Sequence, residues 1–111
     1  MIKERTRLGW FFGSKFSKIS TSELKDYYLK NRKDKFFLDV RTQSEFRTQS
    51  ISNFTNVPLQ SLQSHLNKIP RDKEVVVICQ SGMRSSMACR LLKKAGYERV
   101  TNVSGGMNHW R

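Results

Sequence analysis

The amino-acid sequence predicts an α/β fold, a central, mainly parallel sheet covered by helices on both faces, three layers in all. Two observations carry this reading. Strand-like and helix-like runs follow one another from Ile19 to Arg111 with no hairpin signal between them, so consecutive strands join through crossovers. Within that order, Val75-Val76-Val77-Ile78 sets four β-branched residues in a row, the pattern of a strand buried on both faces. With 111 residues and 37% hydrophobic content, the chain supports one domain around one modest core.

Residues 1–18 read as a basic, aromatic arm: Lys3, Arg5, Arg7, Lys15 and Lys18 surround Leu8-Gly9-Trp10-Phe11-Phe12-Gly13 without a clean helical or strand period. Two readings of the arm stand. It folds back over a hydrophobic surface, or it lies at an anionic membrane interface or the edge of an upstream anchor. The domain proper occupies residues 19–111. Ser20 and Glu23 have the spacing of a capping box, opening a helix to about Lys30 with Leu24, Tyr27, Tyr28 and Leu29 on one side. Phe36 to Val40 follows as an apolar strand interrupted only by Asp39. A carboxylate near the end of a buried strand needs donors, and Arg41 and nearby loop amides are the expected ones, which makes Asp39 and Arg41 loop organisers rather than acid catalysts.

Thr42 and Glu45 repeat the capping-box spacing and open a short helix through about Arg47, with Arg41 and Glu45 placed to pair across its first turn. A polar loop over 48–55 leads to a short strand at Asn56-Val57, which Pro58 limits. Leu59, Leu62, Leu66 and Ile69 mark an amphipathic helix stopped by Pro70, with His65 on its polar side as a surface residue rather than a ligand. A last strand runs over 99–103, Gly105-Gly106 breaks it, and Met107 to Arg111 closes the domain as a short helix with Trp110 packed inward.

The chemistry concentrates where the buried strand turns into the next helix, in Cys79-Gln80-Ser81-Gly82-Met83-Arg84. Met87, Ala88, Leu91, Leu92 and Ala95 form the apolar stripe of that helix, and Gly96 ends it. The first N–H groups of a helix have no intrahelical partner and point, with the positive end of the dipole, at whatever the loop holds. A thiol placed there, with Arg84 nearby, ionises more easily than a free cysteine of pKa ~8.5. Gly82 lets backbone approach a ligand closely, and Arg84 reaches the same cradle. Cys79 is therefore read as a nucleophile, with Gln80, Ser81, Gly82, Met83 and Arg84 as substrate-binding residues. The opposite reading, a packed thiol, suits Cys89, which lies inside the helix with no glycine or loop around it. No cofactor is called for, and no second histidine or carboxylate is spaced to build a metal site with His65.

This loop resembles the active-site loop of rhodanese-family sulfurtransferases. Three further segments resemble the family's pattern in the expected order: Phe37-Leu38-Asp39-Val40-Arg41 with Gln43-Ser44-Glu45-Phe46, Asn56-Val57-Pro58-Leu59, and Val103-Ser104-Gly105-Gly106-Met107-Asn108-His109-Trp110. The chain departs from the pattern at Gln49-Ser50-Ile51, where members usually carry Gly-His-Ile, and at Ser52-Asn53-Phe54, in place of Pro-Gly-Ala. The resemblance spans about Ile19 to Arg111 and implies a rhodanese-like α/β/α domain of about five strands. It also implies sulfur transfer from thiosulfate or a persulfide donor, through a Cys79 persulfide, to a thiol or cyanide. Protein phosphatases on a related plan carry five residues between cysteine and arginine, whereas four separate Cys79 from Arg84, a smaller ring that suits one bound sulfur. No Asp or Glu sits in the loop to donate a proton to a leaving alcohol. Two alternatives stand beside the enzyme: a persulfide carrier or docking module without thiosulfate turnover, and a phosphatase or arsenate reductase of the same fold.

The balance of 21 Lys+Arg against 9 Asp+Glu gives a formal +12, which steers anionic partners or simply keeps the surface solvated. For a sulfurtransferase it draws in a small anionic sulfur donor. The expected acceptor is a thioredoxin-like protein or a low-molecular-weight thiol, and nucleic acid is not an expected partner. Two cysteines in a chain of this size do not make a secreted disulfide framework, so a reducing cytoplasm is expected, peripheral to a membrane if the arm is interfacial. No segment reaches the ~18 apolar residues of a membrane span.

Overall fold

The computed structural model describes residues 15–111, so most of the stretch read as an arm lies outside the described residues. Five strands, β1 (Ser17–Ile19), β2 (Lys35–Asp39), β3 (Phe54–Asn56), β4 (Glu74–Ile78) and β5 (Val100–Val103), form one sheet in the order β1-β5-β4-β2-β3. All four ladders are parallel, Phe37 facing Val76 and Val76 facing Thr101, which places β4 in the middle. Ser17 and Lys18, on sequence the end of the arm, form part of edge strand β1 and pair with Thr101 and Asn102.

Alternation along the strands makes two cores. Val75, Val77 and Cys79 face one side with Leu38 and Val40, covered by helices α3 (Leu59–Leu62) and α4 (Met83–Lys94) through Leu62, Ala88, Cys89 and Leu92. Val76 and Ile78 face the other with Phe37 and Val103. There Leu24 of α1 (Thr21–Asp26), Phe46 of α2 (Gln43–Thr48), and Met107 of α5 (Gly106–His109) cover them, with Trp110 partly buried alongside. Both capping boxes form: Ser20 Oγ accepts from Glu23 N and Thr42 Oγ1 from Glu45 N, while each glutamate reaches back to its cap amide.

The structure corrects the helix reading in three places. The helix from Ser20 stops at Asp26 and resumes only as a 3₁₀ turn over Tyr28–Lys30, leaving Tyr27 60% exposed. Asn31 Nδ2 donates to Tyr27 O at 2.7 Å, taking up a carbonyl at that break. The segment after Pro58 keeps α geometry only to Leu62 and then turns 3₁₀ over Gln63–Lys68, with a non-helical His65 (φ −123°, ψ 24°). The His65 ring lies with Nδ1 2.8 Å from Ser61 O, the carbonyl that a continuing α-helix would give to the His65 amide. On α4 the buried set is Ser85, Ala88, Cys89 and Leu92, while Met87 is 53% exposed and does not belong to the core stripe. Among the described residues no helix is long and apolar enough to cross a membrane.

Candidate active site

Because β4 is central and buried on both sides, the residue after it leaves the sheet at its carboxyl edge, beneath the first turn of α4. That residue is Cys79, 0% exposed. Its Sγ receives the amides of Gly82 at 3.1 Å and Ser85 at 3.2 Å and lies 3.3 Å from Ser85 Oγ. Gly82 makes this cradle by taking φ +108° as the N-cap of α4, a conformation that a residue with a Cβ rarely adopts. Its carbonyl, turned away from the sulfur, accepts from Ser86 N at 3.1 Å, Ser85 Oγ at 3.2 Å and Asn102 Nδ2 at 3.4 Å.

Burial alone pushes the Cys79 thiol up. Hydrogen bonds from the Ser85 hydroxyl and amide, and from the Gly82 and Ser81 amides, outweigh it and hold the thiol below the ordinary cysteine value. Cys89 has no such donors, and burial pushes it up to about 12. Thus one cysteine is prepared for ionisation and the other is held neutral. Ser85 was not singled out on sequence, although a hydroxyl in the first helical turn, six residues after Cys79, is the signal that points to it. Ser85→Ala removes roughly one hydrogen bond to the thiolate, worth ~1 kcal/mol, and should raise the midpoint of Cys79 alkylation by about one pH unit. Iodoacetamide labelling against pH, read at Cys79 by mass spectrometry, measures it; an unmoved midpoint would show that the amides suffice.

The floor of the loop is fixed from two directions. Met107 N donates to Cys79 O at 2.9 Å and Asn108 N to Gln80 O at 2.9 Å, and Gln80 Nε2 donates to Asn108 Oδ1 at 2.8 Å. From the other side, the buried Arg41 closes on Asp39, Nη2 to Oδ2 at 2.8 Å and Nε to Oδ1 at 3.1 Å. Arg41 also donates to Gln49 O at 2.7 Å and, from Nη1, to Gln80 Oε1 at 3.4 Å. A buried ion pair this fully hydrogen-bonded avoids the cost of a stranded charge. It joins β2, the end of α2 and the loop. Where the family pattern has glycine, Asn53 takes φ +78°, a left-handed conformation that asparagine tolerates better than most residues, and Ile51 and Phe54 stay buried on either side.

The expected Arg41–Glu45 ion pair does not form; Arg41 reaches only the Glu45 carbonyl, at 3.5 Å. The Glu45 carboxylate instead holds Arg84 in a two-pronged pair, Nη1 to Oε1 at 2.8 Å and Nη2 to Oε2 at 3.0 Å. Asp39 has already taken the Arg41 fork, and the Glu45 carboxylate faces the loop across 39 residues of sequence. The Arg84 hydrogen bonds lower the Glu45 pKa to about 2 against the opposing effect of burial. Met83 stands at the rim, 74% exposed.

These features form a thiolate cradle at the carboxyl edge of a five-stranded parallel sheet, and comparison with known proteins gives it a family. A family model for the rhodanese-like domain matches residues 20–111. A sulfurtransferase of Allochromatium vinosum is 35% identical over 89 residues, 80% of this chain and 83% of the relative. A thiosulfate sulfurtransferase of Coxiella burnetii is 28% identical over 90 residues, 81% of this chain and 84% of the relative. Among solved structures, a rhodanese-like domain protein from Staphylococcus aureus superposes with a TM-score of 0.79 at 30% identity, covering 86% of this chain and 92% of that one. With the family match running from the cap of α1 to the last residue, the chain belongs to the rhodanese-like domain family.

Proposed function

We propose that this protein is a sulfurtransferase that carries a sulfane sulfur on Cys79. The observation that carries the reading is the set of groups around one buried sulfur: Gly82 N and Ser85 N donate to Sγ at 3.1 and 3.2 Å, and Ser85 Oγ lies 3.3 Å from it. In the first step the Cys79 thiolate attacks the outer sulfur of thiosulfate, a new S–S bond forms, the old one breaks and sulfite leaves with its electron pair. In the second, an acceptor thiolate attacks the outer sulfur of the Cys79 persulfide. Cys79 departs as the thiolate that the cradle already solvates. No oxidant or reductant enters, and both cysteines stay free, which suits a reducing compartment such as the cytoplasm.

Glu45 also weighs against the phosphatase reading. It is the carboxylate paired to the loop arginine, and with a pKa of about 2 it is ionised at neutral pH and has no proton for a leaving alcohol. The four-residue spacing from Cys79 to Arg84 points the same way. Incubation with thiosulfate followed by intact and peptide mass spectrometry tests the function. One added sulfur on the Cys79 peptide, removable by a thiol, is expected; an unmodified Cys79 together with efficient aryl phosphate hydrolysis would replace sulfur chemistry by phosphoryl chemistry.

The Glu45–Arg84 pair supports a second reading, a carrier loaded by a protein persulfide, because the guanidinium nearest the loop is already neutralised. Glu45→Gln separates the two. Freed from its partner, Arg84 gains a charge-assisted contact to thiosulfate, and kcat/KM for thiosulfate should rise about tenfold, the equivalent of ~1.4 kcal/mol. Steady-state kinetics on the variant decides it, since an unchanged value means the pair does not restrain Arg84. The same carboxylate shapes acid stability. Its folded pKa lies below the unfolded value, so its contribution is present above about pH 4.5 and is lost as pH falls towards 2, a loss the Gln variant should not show.

A further inference from the structure

Helix α4 leaves an unusual stripe on its outer side. Met83, Met87, Arg90 and Lys94 follow at spacings of four, three and four, which aligns them on one helical face, and all four are exposed. Met83 and Met87 are two of the three large hydrophobic residues exposed among the described residues, at 74% and 53%. The apolar end adjoins the Cys79 loop, since Met83 is the first residue of α4, directly after Gly82. The other end is purely basic, and α4 contains no Asp or Glu at all. Arg90 and Lys94 suit the negative end of the helix dipole without further explanation, but that does not account for two methionines held in water beside a buried thiol. Unbranched, polarisable methionine side chains are adaptable contact surfaces for a partner.

We propose that this stripe docks an acidic protein thiol, so that Met83 and Met87 receive apolar surface beside the partner's cysteine while Arg90 and Lys94 receive its carboxylates. The proposal rests on the sulfurtransferase reading and names its acceptor. Charge selects this occupant over two others. Residues 1–14 carry Lys3, Arg5 and Arg7 against Glu4, and a second copy of the chain brings the same cations, so both would meet the stripe with like charge. The transfer is balanced: the partner thiolate bonds to the outer persulfide sulfur, the bond from that sulfur to Cys79 Sγ breaks, and Cys79 retains the electron pair as thiolate.

The test starts from protein loaded with sulfur by thiosulfate. Three acceptors are compared: a peptide with a cysteine flanked by leucine and glutamates, the same peptide with lysines for glutamates, and 2-mercaptoethanol. The acidic peptide should react about tenfold faster than the basic one at low ionic strength, and the gap should shrink with salt. R90E with K94E should erase that preference, and M87S should slow the acidic peptide, while neither changes the rate with 2-mercaptoethanol. Because the whole molecule is basic, K30E with K33E, the same charge change at exposed sites before β2, should leave the preference in place. Loss of the preference in both double variants would assign it to net charge and overturn the docking site, as would equal slowing with 2-mercaptoethanol. If deleting residues 1–14 abolished the effect of R90E with K94E, the stripe would belong to the arm and the proposal would fall. Failure of Cys79 to load with sulfur from thiosulfate would instead sink the thiosulfate sulfurtransferase reading on which the proposal rests, before any acceptor is added.

Discussion

Cys79→Ser is expected to reduce sulfur transfer from thiosulfate by at least about 10⁴-fold, to background, while the protein stays folded. The loop does not depend on the sulfur for its shape. Met107 N holds Cys79 O, and Ser86 N, Ser85 Oγ and Asn102 Nδ2 hold Gly82 O, so the serine oxygen enters a cradle already formed. It accepts the same amides, yet a hydroxyl there cannot form a persulfide. Cys89→Ser should keep most activity, because that thiol is fully buried, pushed up to about 12, and has no donor that would prepare it for attack. Thiosulfate:cyanide turnover and denaturant unfolding of the two variants side by side make the comparison. Equal damage from both would replace the single-cysteine mechanism by a two-cysteine relay.

What the sequence disclosed is what short-range patterns encode. The strands around Phe37, Val76 and Val100, and the caps at Ser20 and Thr42, announce themselves through apolar or β-branched runs and side-chain spacing, and they formed where those signals stood. Strand β1 has no such signal. Ser17-Lys18-Ile19 is short and mostly polar, and only its pairing to Thr101, Asn102 and Val103 makes it a strand. The two helix breaks had local causes that periodicity ignores, since Asn31 and His65 each engage a backbone carbonyl with the side chain. Met87 fits an apolar period as well as Leu91 does, so the pattern could not tell a core position from an exposed one.

The site divides along the same line. Cys79 and Gly82 were legible because strand, turn and helix are contiguous in sequence, and Asp39 and Arg41 because they sit two residues apart. The identity of the Arg84 partner was not. Glu45 has two roles, closing its own capping box and gripping Arg84 across 39 residues, and sequence spacing reveals only the first. Asn108, 28 residues from Gln80, is hidden for the same reason.

The other large effect is expected at Gly106. The residue has φ +56°, and a Cβ placed on it would lie 2.3 Å from Cys79 O, 2.8 Å from Gln80 C and 2.8 Å from Gln80 O. All three are backbone atoms of the Cys79 loop, so no side-chain rotation relieves the contact. Gly106→Ala must therefore move either α5 or the loop, opening the hydrogen bonds from Met107 N and Asn108 N to the Cys79 and Gln80 carbonyls. Backbone strain and overpacking together should cost about 2–4 kcal/mol. The displaced cradle should lower thiosulfate turnover at least about tenfold at temperatures where the variant remains folded. Gly96→Ala provides the control. It too has positive φ, +98°, but its Cβ would meet only the Arg71 side chain, Nη1 at 3.3 Å, beyond the far end of α4. That change should cost stability, about 1 kcal/mol, and leave turnover and the Cys79 alkylation midpoint unchanged. If Gly106→Ala lost stability without altering the alkylation midpoint, α5 would be a structural cover and the loop would keep its geometry without it.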